Sequence, residues 1–123
     1  MESNELSGIV INKAFKVHQV LGPGLLESAY EKCLMYELSK AGLEVSRQQE
    51  IPLIYERIKI DCSYRADLIV NNEVLIELKS VPFIIDIHVA QTLTYLRLSG
   101  IKLGLIINFN TINLKQGIKR VIR

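Results

Sequence analysis

The sequence predicts an α/β domain with the element order ααβββαβ, in which α is a helix and β a strand. Three observations support this class. Two stretches with apolar residues at helical spacing open the chain, three extended segments follow, and a third helical stretch precedes a short continuous apolar run. Because 123 residues suffice for one sizeable hydrophobic core and not for two, we expect residues 1–123 to form a single domain.

Apolar residues at regular spacing define the two N-terminal helices. They recur three and four positions apart over residues 6–21 and again over residues 25–41. The Gly-Pro-Gly sequence at 22–24 should end the first helix, and Gly42 is suited to the position just after the second. The first third of the chain is therefore predicted to be helical.

Extended segments occupy the middle of the chain, at residues 43–55, 58–70 and 74–80. Pro52 marks an edge or a bulge in the first segment, because proline lacks the N–H group that a central strand needs. The Asn-Asn-Glu junction at 71–73 is typical of a hairpin between the second and third segments.

The last third of the chain returns to a helix and then to a strand. Residues 86–99 have helical character with Gly100 as their cap, and residues 101–109 form an apolar run typical of a strand covered on both faces. The tail after residue 110 is compatible with a further short helix, which Gly117 and clustered basic residues disfavour.

Side-chain parity predicts the loop length of the central hairpin. Six apolar residues of its two strands are all even-numbered: Ala66, Leu68, Val70, Val74, Ile76 and Leu78. Only a loop of odd length places them on one face. A three-residue loop at 71–73 then puts Asp67 opposite Glu77 on the other face, with Lys79 one pleat away. The hairpin therefore predicts two carboxylates and a lysine in one place.

The opposed pair of Asp67 and Glu77 destabilises a sheet unless a proton or a cation lies between the two side chains. Paired carboxylates suit Mg²⁺ or Mn²⁺, and sites with few protein ligands of this kind are mostly phosphoryl-transfer sites. There Lys79 can orient the attacking water or offset charge in the transition state. The structural alternative is that Lys79 pairs with one carboxylate while Arg65 neutralises the other on a partly solvated face.

Several motifs, in order and spacing, resemble the PD-(D/E)XK nuclease superfamily. Asp67, nine intervening residues and Glu-Leu-Lys at 77–79 are similar to its core. The sequence at 24–30 is a Gly-x-x-Glu-x-x-Tyr motif, after which the small bacterial family of GxxExxY proteins is named. Gln91 and Tyr95 are spaced as in the helix motif of recombination-type exonucleases of the same superfamily.

The resemblance implies a restriction-endonuclease-like core, with a mixed central β-sheet flanked by helices, although Ala66 stands where the family's proline is expected. It implies that Asp67 and Glu77 bind the metal and that Lys79 assists the nucleophile. Glu27 is expected to be a further catalytic residue that binds the metal, a metal-bound water or Lys79. The structural alternative for Glu27 is a first-turn glutamate that stabilises the helix N-terminus.

Four further residues are expected to contact nucleic acid or to support the site: Tyr30, Arg65, Gln91 and Tyr95. Gln91, Tyr95 and His88 lie on one side of the predicted third helix. The structural alternative places Tyr95 in the core and His88 at its rim.

Phosphate contacts are expected from basic residues on the first helix, around the third helix and in the tail: Lys13, Lys16, Arg97, Lys102, Lys115, Lys119, Arg120 and Arg123. A domain of this size cannot enclose a duplex, so a homodimer or a partner chain would enlarge the contact surface. Apolar residues of the tail are a candidate for that association: Leu114, Ile118 and Val121.

The composition is that of an ordinary globular protein, 49% hydrophobic and 23% charged, and the formal charge of +2 permits a nucleic-acid partner without requiring one. An acidic start predicts no signal peptide, and no apolar stretch is long enough to span a bilayer, so we expect a cytoplasmic protein. Cys33 and Cys62 fit neither a metal site nor a disulfide framework and are expected to be reduced.

The leading hypothesis is a Mg²⁺- or Mn²⁺-dependent nuclease that hydrolyses phosphodiester bonds in nucleic acid, DNA rather than RNA. The first alternative is a catalytically silent nucleic-acid-binding or assembly module that keeps the nuclease fold. The second alternative is hydrolysis of a phosphorylated small molecule, which the shallow site expected of so small a chain disfavours.

Overall fold

A computed structural model describes residues 1–61 and 64–123 of the chain. Its helices are α1 (Ser3–Leu21), α2 (Glu27–Lys40) and α3 (Asp86–Ser99). Its strands are β1 (Val45–Glu50), β2 (Leu53–Tyr55), β3 (Ile58–Ile60), β4 (Arg65–Val70), β5 (Val74–Lys79), β6 (Leu103–Asn108) and β7 (Ile118–Ile122). A 3₁₀ turn spans Leu114–Gly117. The prediction of a reduced Cys62 lies outside the described residues.

The central sheet has five strands in the order β1-β4-β5-β6-β7. β5 and β6 are parallel and are connected through α3, which provides the long crossover that parallel neighbours need. The other neighbouring strands are antiparallel. The predicted class, a mixed central sheet flanked by helices, is therefore confirmed.

Two apolar clusters cover the two faces of this sheet. In the first, α1 and α2 pack on even-numbered residues of the β4–β5 hairpin, from Leu68 to Leu78. In the second, α3 packs on the odd-numbered Ile69 and Leu75. Ala66, at the start of β4, departs from the predicted parity because it packs in the second cluster. The odd-numbered face, which also carries the charged residues of the hairpin, is thus the face of α3.

The β4–β5 hairpin has the predicted three-residue loop. Its strands pair Leu68 with Ile76, Ile69 with Leu75 and Val70 with Val74. Asn71 and Asn72 adopt φ angles of 50° and 57°, a left-handed conformation that asparagine tolerates better than most residues. The loop length inferred from parity is therefore confirmed.

The middle of the chain forms more strands than the sequence predicted. β1 ends before Ile51 and Pro52, and β2 pairs with β3 in a separate two-stranded sheet. Ile51 is buried in the second cluster, whereas Pro52 has no N–H group with which to continue a strand. The chain therefore leaves the central sheet after β1 and returns to it at β4.

The tail forms a strand after the 3₁₀ turn at Leu114–Gly117, so the short C-terminal helix left open by the sequence is limited to that single turn. β7 pairs antiparallel with β6 and buries Val121 between the exposed Arg120 and Ile122, which is the alternation of a strand with one covered face. Leu114 and Val121 are buried, and Ile118 packs against the first cluster. These three residues belong to the core, so the association surface predicted for them is wrong.

Gly117 allows the tail to approach β6 closely. A Cβ atom at this position would lie 2.3 Å from the backbone oxygen of Asn108. This oxygen belongs to the strand backbone and cannot move aside as the end of a flexible side chain could. Gly117→Ala is therefore expected to lower the free energy of unfolding by about 1–3 kcal/mol. The matched control is Gly8→Ala in α1, where an added Cβ atom meets no neighbour within 4 Å. It should raise the stability by about 0.5–1 kcal/mol. Urea unfolding of both variants measures the difference, and equal effects would contradict the argument.

Candidate active site

The β4–β5 hairpin places Asp67, Glu77 and Lys79 near the end of the sheet where β5 and β6 finish. We call this end of the sheet the site end. Its register puts Asp67 level with Glu77, one pair beyond the last paired residues. Glu77 is 5% exposed, and Asp67 and Lys79 are half-buried. The structure therefore brings together the three residues that the sequence singled out.

The electrostatics of Glu77 reflect this crowding. Burial, followed by the adjacent Asp67 carboxylate, raises the pKa of Glu77 from 4.5 to about 9, and the charge of Lys79 opposes the shift. At neutral pH and without a cation, Glu77 therefore holds a proton. The repulsion expected between the two carboxylates is relieved in this way.

The pair has the properties of a divalent-cation site. Within the described residues, Oε1 of Glu77 is buried and has no hydrogen-bond partner. A buried polar atom without a partner costs about 1–3 kcal/mol, which a bound cation would offset. Mg²⁺ and Mn²⁺ prefer oxygen ligands, and Mg²⁺ is commonly held by one or two protein carboxylates plus waters. Asp67 and Glu77 therefore fit such an ion.

Asp67 is held more firmly than Glu77. Its Oδ2 accepts a hydrogen bond from the backbone N–H of Leu78 at 2.8 Å, and its Oδ1 accepts one from Nε2 of Gln48 at 3.1 Å. An ionised carboxylate is an acceptor only, so donors on both oxygens suit its charged form. The orientation of Asp67 is thus fixed from two neighbouring strands.

Sequence reasoning missed a polar network behind Asp67. Nε2 of Gln48 also donates to Oε2 of Glu31 at 2.7 Å, and Arg47 forms a salt bridge with Oε1 of Glu31 at 3.0 Å. Glu31 is 5% exposed. One available signal was that Glu31 follows Glu27 by four residues and therefore shares its side of α2.

Lys79 forms no salt bridge with a carboxylate in the described part of the chain, where the two salt bridges are Lys16–Glu37 and Arg47–Glu31. Arg65 instead donates to the backbone oxygen of Gln48 at 3.2 Å. The structural alternative, in which Lys79 and Arg65 neutralise the two carboxylates through salt bridges, is thus not found among these residues.

Glu27 lies at the site end but apart from the carboxylate pair. It is the first residue of α2, is exposed, and lines a shallow cleft with Ser80. Oγ of Ser80 donates to the backbone oxygen of Leu25 at 2.9 Å, which connects the start of α2 to the residue after Lys79. Within residues 1–61 and 64–123, no three His, Cys, Asp or Glu side chains cluster so as to hold a metal. Glu27 is thus the predicted ligand that the structure does not bring to the pair.

Tyr30 supports the loop that precedes Glu27. Its ring is fully buried and stacks on Phe109 with 4.4 Å between the ring centroids. Its hydroxyl donates to the backbone oxygen of Gly22 at 2.6 Å and accepts from the N–H of Leu25 at 3.0 Å. Tyr30 can therefore act on the site through this loop, whereas its ring does not reach solvent.

On α3, Tyr95 lies close enough to the carboxylates to be affected by their charge. It is 7% exposed and packs in the second cluster, and its ring lies 6.1 Å from that of Tyr64. Burial, and after it the charge of Glu77, raises the pKa of Tyr95. Gln91 is exposed one turn earlier. Nδ1 of His88 accepts the N–H of Ile85 at 3.1 Å, so His88 caps the start of α3.

The basic residues predicted to contact phosphate differ in their availability. Lys16, Arg120 and Arg123 are engaged in contacts within the chain. Lys115 and Lys119 are exposed, and they lie where the chain enters β7 beside the last residues of β6. Lys115 and Lys119 therefore place positive charge at the site end of the sheet.

The structure bears only in part on the predictions of a reduced Cys33 and of a cytoplasmic location. Cys33 is free and half-buried. Among the helices of the described chain, none is both long and apolar enough to cross a bilayer.

Comparison with known families gives one match. The family model of the PD-(D/E)XK nuclease superfamily matches residues 4–121, a range that includes the carboxylate pair, Lys79 and the start of α2. Comparisons with curated proteins and with solved structures gave no significant match. On this extent of agreement, the chain belongs to the PD-(D/E)XK nuclease superfamily.

Proposed function

We propose that this protein is a metal-dependent nuclease that hydrolyses phosphodiester bonds in nucleic acid, with DNA favoured over RNA. One observation carries the proposal: the buried Glu77, whose Oε1 has no partner among the described residues, lies beside Asp67 at an end of the sheet that also holds Lys79. Superfamily membership supports hydrolytic nuclease chemistry.

In the proposed mechanism, Asp67 and Glu77 hold Mg²⁺ or Mn²⁺. The ion, when bound, supplies Lewis acidity and neutralises charge at the scissile phosphate. Lys79 acts in one of two ways: as a neutral amine it accepts the proton of the attacking water, and as an ammonium it stabilises the negative charge of the transition state. Glu27, exposed beside Ser80, supports the site from the start of α2.

Other residues have proposed roles around this centre. Tyr95 and Gln91 on α3, Arg65 on β4 and the buried Tyr30 support the site or its contact with nucleic acid. Basic side chains contribute phosphate contacts, and a second copy or a partner chain would extend them. The Gly-x-x-Glu-x-x-Tyr motif at 24–30 supports a place among the bacterial GxxExxY proteins. The proposed location of the protein is the cytoplasm.

Cleavage assays on matched DNA and RNA test the function. The wild type, supplied with Mg²⁺ or Mn²⁺, should cleave DNA faster than RNA of the same sequence and should be inactive in EDTA. Asp67→Ala should be inactive with either ion, because it removes a ligand. Glu44→Ala is the control, since Glu44 is exposed and precedes β1 at the opposite end of the sheet. Equal cleavage by wild type and Asp67→Ala would refute the proposal, whereas salt-sensitive binding without product would favour the silent module.

A further inference from the structure

Gln48 has an unusual backbone conformation for a residue inside a strand. Its φ angle is 52°, in the left-handed region that non-glycine residues rarely adopt. In a regular strand, the successive residues Arg47 and Gln48 would direct their side chains to opposite faces. Here both contact the same carboxylate, that of Glu31. The left-handed conformation accompanies a break in the alternation of β1.

The side-chain amide of Gln48 lies between two carboxylates. Nε2 donates to Glu31 at 2.7 Å and to Asp67 at 3.1 Å, so each of its two hydrogens has an acceptor. The reverse orientation would direct the amide oxygen at two acceptors and is therefore disfavoured. Glu31, itself fixed by Arg47 at 3.0 Å, thus sets the direction in which the amide points.

We infer that Gln48 is a positioning residue for Asp67, and that Glu31 acts on Asp67 through Gln48. The inference rests on the proposed function, because it concerns how Asp67 is presented to a cation. With the Leu78 N–H on Oδ2, the amide on Oδ1 completes the restraint of this carboxylate. Residues that hold a ligand in this way raise metal affinity by preorganising it. A strained conformation at such a position is maintained by the surrounding contacts.

The substitution Gln48→Gly distinguishes the contribution of the Gln48 side chain to metal binding from the cost of its strained backbone conformation. Glycine adopts a positive φ freely, and this relief should offset the cost of the two lost hydrogen bonds, so the urea midpoint of the metal-free variant should stay close to that of the wild type. Without the amide, however, its Kd for Mn²⁺, measured by calorimetry, should rise by about 10–100-fold. Gln48→Asn, which tolerates the same φ but has a shorter side chain, should change the Kd in the same direction.

Gln49→Gly is the matched control. Gln49 is the next residue of β1, is exposed, and has no positive φ. Glycine there should lower the urea midpoint and leave the Kd for Mn²⁺ unchanged, which is the opposite of the result expected at Gln48. A purely structural role of Gln48 would instead change stability and not the Kd.

A double-mutant cycle tests the role of Glu31. Glu31→Gln should weaken Mn²⁺ binding in the wild type and should cause no further loss in Gln48→Gly. Additive losses would overturn the action of Glu31 through Gln48. A wild-type Kd in Gln48→Gly would overturn the positioning role while leaving the nuclease proposal intact. Failure of the wild type to bind Mn²⁺ and to cleave nucleic acid would refute both the positioning role of Gln48 and the nuclease proposal.

Discussion

The Lys79→Ala variant is expected to lose about 10²–10⁴-fold in kcat for metal-dependent cleavage while it still binds Mn²⁺. Lys79 is half-buried at the site end and, within the described chain, forms no salt bridge, so its ammonium is available for the reaction. Asp67→Ala should differ, because it removes a proposed ligand and should lose both binding and cleavage. Single-turnover cleavage and Mn²⁺ calorimetry on the same preparations separate the two effects.

Lys40→Ala is the matched control for this substitution. Lys40 is the last residue of α2, whose first residue lies at the site end, so its side chain is about one helix length away from the proposed reaction. Its removal should leave kcat unchanged. Cleavage by Lys79→Ala at the wild-type rate would contradict the proposed role of Lys79. Loss of Mn²⁺ binding in that variant would instead mean that Lys79 maintains the carboxylate pair.

The hairpin that carries the site was predictable because one physical rule determines it. A strand alternates faces with a period of two, so the apolar residues from Leu68 to Leu78 specified the loop length and thereby the juxtaposition of Asp67 and Glu77. Local patterns also sufficed for α3, whose bounds of Asp86 and Ser99 agree with the prediction. These features depend on residues that are close in sequence.

The rest of the site depends on contacts between distant residues. Gln48 has no local feature that requires a positive φ, and its conformation is linked to Glu31 on α2 and Asp67 on β4. Similarly, β7 was mistaken for a possible helix because its five residues gain strand structure only by pairing with β6. The position of Glu27 depends on the loop before α2, which is held by hydrogen bonds to the hydroxyl of Tyr30. Sequence spacing carries no information on any of these distances.

Metal-free wild-type protein is expected to lose stability as the pH rises from about 5 to 9, and Glu77→Gln should remove most of that loss. The pKa of Glu77 is 4.5 in the unfolded chain and about 9 in the folded protein. The folded state therefore binds the proton more tightly. Its stabilising contribution is complete below pH 4.5 and decreases as the pH rises toward 9, by up to about 1 kcal/mol per pH unit. Glutamine resembles the neutral acid and does not titrate.

Urea unfolding in EDTA at pH 5, 6.5 and 8 measures this dependence. Wild type and Glu77→Gln should have about equal stability at pH 5, and Glu77→Gln should be the more stable of the two at pH 8. Glu44→Gln, at an exposed glutamate, should follow the wild-type curve. Parallel curves for wild type and Glu77→Gln would show that Glu77 is not the buried acid that titrates. Mn²⁺ added at pH 8 should stabilise the wild type and not Glu77→Gln, since only the carboxylate exchanges its proton for the ion. The same carboxylate would then destabilise the metal-free fold and stabilise the metal-bound one.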